Sequence, residues 1–219
     1  MIDDLGRSLQ DLKTLGSLGI DLTYAVLPFE SRTPEVVAEL RRRREEILCH
    51  LPMEPSNGAN PGPGALRGSM SDEDLIAGTR KALAAVPGSV GVNNHMGSGL
   101  TTDILRMTAI VEVLKERRLF FLDSRTSAQS VGYKAAVEAG IPAAERQVFL
   151  DGDPAPEVIR EQFRRTLEIA RRRGAAVAIG HPYPETLAVL GEEVPRALQL
   201  GYDFVPVSFL LDRSGDLEE

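Results

Sequence analysis

The chain reads as an α/β protein: one parallel (β/α) barrel or doubly wound sheet, folded as a single domain over residues 1–219. Three observations predict this class. Apolar runs alternate with helical patterns about eight times from end to end, without internal repeats or a linker. Several strand-like runs are continuously apolar, as in Ala176-Val177-Ala178-Ile179, which suits strands covered on both faces. Polar groups gather where strands give way to loops, the carboxyl ends that carry the working residues of such folds.

The first strand is a stub, because only Met1-Ile2 precede Asp3-Asp4 and a strand usually takes about 5–6 residues. It is expected to be truncated, which would leave the barrel open between its first and last strands and any export signal upstream. Leu22 to Leu27 reads as the next strand, stopped by Pro28. A helix follows from Thr33 to about Arg44, with Thr33 as N-cap and Pro34 in the first turn, where a missing N–H costs nothing. Ile47 to Cys49 is a strand, and Pro55 to Gly64 is too rich in turn formers to be regular. Ser71 caps a helix that carries Asp74 in the acidic capping position and ends near Pro87-Gly88.

The alternation then continues with a strand at Ser89–Asn93, a helix from Thr101 or Thr102 to about Arg117, and a strand at Leu119–Leu122. Ser127–Ala139 is helical until Gly140, and Gln147–Leu150 is a strand closed by Asp151-Gly152. A helix at Pro156–Arg173, a strand at Ala175–Gly180 and a helix at Glu185–Leu200 come next. A final strand spans Asp203–Leu211, where Pro206 suits an edge or a bulge.

With 42% hydrophobic and 26% charged residues, wholesale disorder is excluded. A net charge of −7 argues against a nucleic-acid partner, which needs a basic surface. Arg41 to Arg44, followed by Glu45-Glu46, coats a solvated helix face. Cys49 is alone, so no disulfide joins two parts of the chain. No apolar stretch reaches the ~18 residues of a membrane span, and the chain shows no signal peptide.

Only three histidines occur, and each ends an apolar run: His50, His95 and His181. Imidazole is the commonest metal ligand and is suited to proton transfer near neutral pH, so strands that deliver three of them to one rim point to a divalent-metal site. Asp3 and Asp4 follow the first strand; one can bind metal while the other holds or accepts a proton, or one caps the next helix. His50 and Glu54 are four apart, but Pro52 and Pro55 oppose a helix, leaving a stiff loop to aim both groups. Asn93 and Asn94 precede His95, either as a polar turn or as amides that orient a ligand. Asp123 and Arg125 form a local pair that braces the rim or supports the site from behind, and Asp151 caps a turn with Gly152. No Gly-x-Ser-x-Gly elbow and no dinucleotide fingerprint is present.

Five ordered blocks, Ile2-Asp3-Asp4-Leu5-Gly6, His50-Leu51-Pro52-Met53-Glu54-Pro55, Gly91 to Ser98, Phe121 to Thr126 and Ile179-Gly180-His181-Pro182, resemble the divergent polysaccharide deacetylase family over nearly the whole chain. The resemblance implies a distorted (β/α) barrel of about seven strands and an exported, periplasmic or envelope-associated bacterial protein. It implies a metal-dependent hydrolase, acting on an amide of an N-acetylated glycan, or a catalytically idle barrel that binds such a glycan or an envelope partner. Asp3 and Asp4 match the base and the metal-binding aspartate of the parent deacetylases. His50 matches their first metal-binding histidine, Glu54 stands where they carry the second, and His181 matches their general acid. The expected ligands of a divalent ion, Zn2+ by preference, are then Asp4, His50 and His95. Glu54 is the alternative ligand, Asn94 an oxyanion donor, and Asp123 and Arg125 lie behind the ligands.

Overall fold

The computed structural model describes residues 1–211, so residues 212–219 of the expected domain lie outside the described residues. The strands are β1 (Ile2–Leu5), β2 (Thr23–Val26), β3 (Glu46–Met53), β4 (Gly91–Met96), β5 (Phe120–Asp123), β6 (Ala143–Glu145), β7 (Val148–Phe149) and β8 (Ala178–Ile179). The helices are α1 (Leu9–Gly16), α2 (Thr33–Arg43), α3 (Asp72–Ala85), α4 (Ile104–Glu116), α5 (Gly132–Ala139), α6 (Pro156–Arg173), α7 (Pro184–Gln199) and α8 (Val207–Leu211). Every pair of named strands is parallel, in the order β1 to β6 with β7·β8 alongside. The helices link successive strands, as parallel pairing requires.

The ring is distorted, and its break is not where the sequence placed it. β1 is paired on both sides: it runs beside β2 and also bridges Gly180 through Ile2, with the Asp3 N–H donating to the Gly180 carbonyl at 2.9 Å. The first and last strands are therefore joined. Pairing is interrupted between β6 and β7 instead. Gln147 spans that seam, its side-chain amide donating to the Glu145 carbonyl and its side-chain oxygen accepting the Val177 N–H.

Strand alternation sorts the core and positions the site. Successive side chains of a strand point to opposite faces. Ile47, Cys49, Leu51, Val92 and Phe121 join the large cluster shared with the helices. Leu48, Ala25, Phe120, Leu122, Val177 and Ile179 form the smaller cluster that also takes in Val207 of α8. His50 has the parity of Leu48, so it projects into the ring above an apolar floor. Asn93 lies directly opposite His50 in the β3·β4 register, and His95 two residues on has the same parity. Polar groups thus crown the carboxyl end of a ring whose base is apolar.

Several expected elements shift, each for a local reason. β3 continues through His50 to Met53, so His50 sits within the strand rather than at its exit. Arg32, not Thr33, occupies the cap position of α2; the Thr33 hydroxyl instead donates to the Leu27 carbonyl and accepts the Glu30 N–H. α4 starts at Ile104 because Asp103 accepts the N–H groups of Leu105 and Arg106. α5 starts only at Gly132, β8 is two residues long, and α1 and β6 have no counterpart among the expected elements. The expected last strand does not form: residues 203–206 belong to no element and α8 follows. Its first N–H groups are accepted by Thr23 Oγ1 and Glu46 Oε1, groups from distant strands. Ser71 does cap α3, accepting the Asp74 N–H.

Candidate metal centre

β1 delivers two adjacent carboxylates to one side, which a regular strand cannot do. Between Ile2↔Tyr24 and Leu5↔Val26 the register advances three residues on β1 and two on β2, and Asp4 has φ +59°. The extra residue is a bulge, and the left-handed backbone at a non-glycine costs roughly 1–2 kcal/mol. What it achieves is convergence: Asp3 Oδ2 and Asp4 Oδ1 lie 3.5 and 3.1 Å from the same atom, His50 Nε2.

His95 Nδ1 completes the group, 2.8 Å from Asp4 Oδ1 and 3.2 Å from His50 Nε2. Three ligand atoms of Asp4, His50 and His95 lie within 4.8 Å of one another. Ligands spaced around a tetrahedral Zn2+ at its usual bond lengths are about 3.3 Å apart, so the donor set fits such an ion. Asp4 Oδ1 itself is buried and has no hydrogen-bond partner of proper geometry. A buried carboxylate oxygen that makes no well-formed hydrogen bond and faces two imidazole nitrogens at 2.8 and 3.1 Å is suited to holding a cation.

The electrostatics divide the two aspartates. Burial opposes charge on Asp4, but His50 and His95 outweigh it and hold the carboxyl well below the usual carboxylate range. Burial pushes the Asp3 carboxyl up, and the imidazoles of His50 and His181 offset that only in part. Burial lowers the His50 pKa, yet Asp3 and Asp4 raise it beyond that loss, for a net upward shift. Asp4 is therefore the better ligand and Asp3 the better proton acceptor.

His181 approaches from the loop after β8, with Nε2 3.9 Å from Asp4 Oδ2. Asp151 anchors it: one carboxylate oxygen accepts from Nδ1 at 2.9 Å, and the other accepts the His181 N–H and the Thr186 hydroxyl. Asp151 does not cap a turn at Gly152 as expected; it orients an imidazole. Burial lowers the His181 pKa, and Asp151, Asp4 and Asp3 more than reverse this, leaving it raised. The aromatic rings of Phe149 and Tyr183 flank the imidazole.

Four expected contributors lie elsewhere. Glu54 lies just past the end of β3, and its carboxylate accepts the Gly68 N–H. Asn94 has the wrong parity to face the ring. Its amide donates to the Met96 carbonyl and its oxygen accepts the Ser124 N–H, so it braces two loops and is not aimed at an oxyanion. Asp123 shares the outward parity of Phe121 and serves α5, accepting from the Ser130 hydroxyl and from the N–H groups of Tyr133 and Arg125. The Arg125 guanidinium binds the carbonyls of Ala128 and Ser130 and pairs with Glu145. The residue that touches the centre is Asn93, whose side chain contacts both His50 and Asp3.

A distorted parallel barrel crowned by an Asp-His-His cluster defines a class of α/β protein whose strand ends could hold a metal. The chain belongs to the divergent polysaccharide deacetylase family, whose model matches residues 1–211. An uncharacterized protein of Escherichia coli K12, YibQ, is 35% identical over 194 residues, covering 89% of this chain and 61% of its own length. An uncharacterized protein of Haemophilus influenzae is 34% identical over 203 residues, covering 91% of this chain and 72% of its own. The chain thus spans less than two thirds of the Escherichia coli relative. Among solved structures, an uncharacterized protein of Agrobacterium tumefaciens C58 superposes with a TM-score of 0.89 at 26% identity, covering 95% of this chain and 86% of that one. A peptidoglycan N-acetylglucosamine deacetylase superposes at 0.61 with 12% identity, covering 96% and 86% of the two chains, which establishes a shared fold.

Proposed function

We propose that the protein is a metal-dependent hydrolase that removes acetyl groups from an N-acetylated cell-envelope glycan, working in the periplasm or at the envelope. The observation that supports this best is the buried, orphaned Asp4 Oδ1 facing His50 Nε2 and His95 Nδ1. Asp4, His50 and His95 would hold the ion, and the nitrogen-rich donor set favours Zn2+. When bound, such an ion polarises a carbonyl and brings the pKa of water to about 7.

The chain's own groups supply the proton chemistry. Asp3, with its raised affinity for a proton and its place beside the cluster, takes a proton from attacking water. His181, held by Asp151 through Nδ1, presents Nε2 to the same space and gives a proton to the departing amine. Base and acid thus come from different elements, Asp3 from β1 and His181 from the loop after β8. That arrangement suits hydrolysis of an amide, which needs both transfers.

The test combines metal analysis with acetate release from acetylated chito-oligosaccharides and peptidoglycan fragments. Wild type is expected to carry about one Zn2+ per chain, and Asp4→Ala, His50→Ala and His95→Ala to lose it. Undiminished metal in all three variants rejects the ligand set. A full metal complement without acetate release from any of these substrates favours an idle barrel that binds a glycan or an envelope partner.

A further inference from the structure

Asn93 stands inside the ring between the two halves of the proposed chemistry and is fully buried. Its side-chain carbonyl lies 3.0 Å from His50 Nδ1. Its amide donates to Asp3 Oδ1 and Oδ2, at 3.1 and 3.2 Å, and to Ser124 Oγ at 3.2 Å. Chemistry fixes which end faces which partner. A carboxylate only accepts, so the NH2 end must face Asp3, and turning the amide over would set oxygen against oxygen. The carbonyl end then meets an imidazole nitrogen. Because a carbonyl cannot donate, the imidazole proton belongs on His50 Nδ1. That leaves a lone pair on Nε2, the atom 3.1 Å from Asp4 Oδ1 and 3.2 Å from His95 Nδ1.

We propose that Asn93 is a two-ended positioning residue: its oxygen fixes the tautomer that makes His50 a metal ligand, and its amide holds the Asp3 carboxylate in place without neutralising it. This rests on the reading of Asp4, His50 and His95 as ligands. A cation in the position of Asn93 would orient Asp3 equally well but would lower its affinity for a proton and repel a bound metal ion. A hydroxyl would not reach both partners with opposite polarity. The two ends are separable by substitution. Asn93→Asp keeps an oxygen towards His50 and loses the donor to Asp3, whereas Asn93→Leu, of similar size, loses both.

Side-chain 15N NMR of the metal-free protein at alkaline pH, where imidazoles are neutral, reads the tautomer directly. Three histidines make the spectrum assignable with His95→Ala and His181→Ala. Wild-type His50 is expected in the Nδ1–H form, and Asn93→Leu is expected to lose that preference. A wild-type His50 in the Nε2–H form overturns the proposal whether or not the variants fold. In a Zn2+ competition titration, Asn93→Leu should bind about 10–100-fold more weakly than wild type and Asn93→Asp within about threefold of it. Equal affinity of Asn93→Leu and wild type overturns the role of the oxygen. Acetate release by zinc-loaded Asn93→Asp should fall at least about tenfold, and unchanged release overturns the role of the amide. A wild type that binds Zn2+ and releases no acetate counts against the deacetylase reading, while the tautomer and the Zn2+ affinity still decide the His50 arm.

Discussion

At the scale of single residues, the outcome turns on strand parity. Asn93 and Asn94 are chemically identical and adjacent, and Asn94 is the one expected to serve the site. Period-2 alternation decides otherwise: Asn93 and His95 share a face with His50, and Asn94 points to the loops. That much was legible from the position of His95 alone. The Asp3-Asp4 pair was not, because parity sends neighbours apart and only the bulge at Asp4 reunites them. Asp151 was seen at a strand end, but its partner His181 lies thirty residues on, beyond any local pattern. The pair makes a prediction with a definite sign. The His181 pKa stands above the ordinary value of about 6.5, so the stability this pair contributes is complete below that pH and lost as pH rises through the folded pKa. In Asp151→Asn the charge is gone while burial remains, so the His181 pKa should fall. A general acid must be protonated, so the alkaline limb of the activity profile should move to lower pH with it. NMR titration of His181 checks the first statement and a pH–rate profile the second; an unmoved His181 pKa in the variant contradicts both.

At the scale of elements, caps supplied from far away explain two of the boundaries that differ from the expected ones, those of α5 and α8. Ser71 caps its own helix where the sequence places the start, whereas the local cap Asp103 sets α4 two or three residues after the expected Thr101 or Thr102. α5 is different. Its start at Gly132 is set by Asp123 on β5, whose buried carboxylate accepts from the Tyr133 N–H and the Ser130 hydroxyl. A Cβ at Gly132 would come within 2.8 Å of Phe121, so the close approach of helix to strand also needs that glycine. α8 replaces the expected last strand because Thr23 and Glu46 receive its first N–H groups. Asp123 was expected to support the metal site, and its bonds assign it to the helix. Asp123→Ala leaves three donors without their acceptor and should cost about 3 kcal/mol of stability. Urea denaturation checks this, with Zn2+ affinity expected to stay within about threefold of wild type. A tenfold loss of affinity at unchanged stability would restore the expected role.

At the scale of the whole molecule, the fold class followed from strand–helix alternation and unbroken apolar strands, both of which survive as the parallel ring and its two clusters. The closure did not follow, since a stub of two apolar residues gave no sign that β1 pairs with β2 and with Gly180. That closure matters to the centre. Asp4 comes from β1, His50 from β3 and His95 from β4, so the proposed ligands are not drawn from one strand pair. An ion held by all three ties the strand at the β8 junction to the middle of the sheet. Without it, Asp3 and Asp4 are adjacent carboxylates at a buried site, and the folded state lacks the cross-link. An ion that binds only the folded chain stabilises it by about 2.7 kcal/mol when free Zn2+ stands at a hundred times its Kd. For a chain of this size that corresponds to a rise in Tm of roughly 5–11 °C. Differential scanning calorimetry should show the rise on adding Zn2+ to metal-free wild type and its reversal by chelator. Asp4→Ala should show little of it, because one strand then drops out of the cross-link. A Tm indifferent to saturating Zn2+ would mean that the three strands are held together without a metal, and that the cluster is a hydrogen-bonded knot in the core.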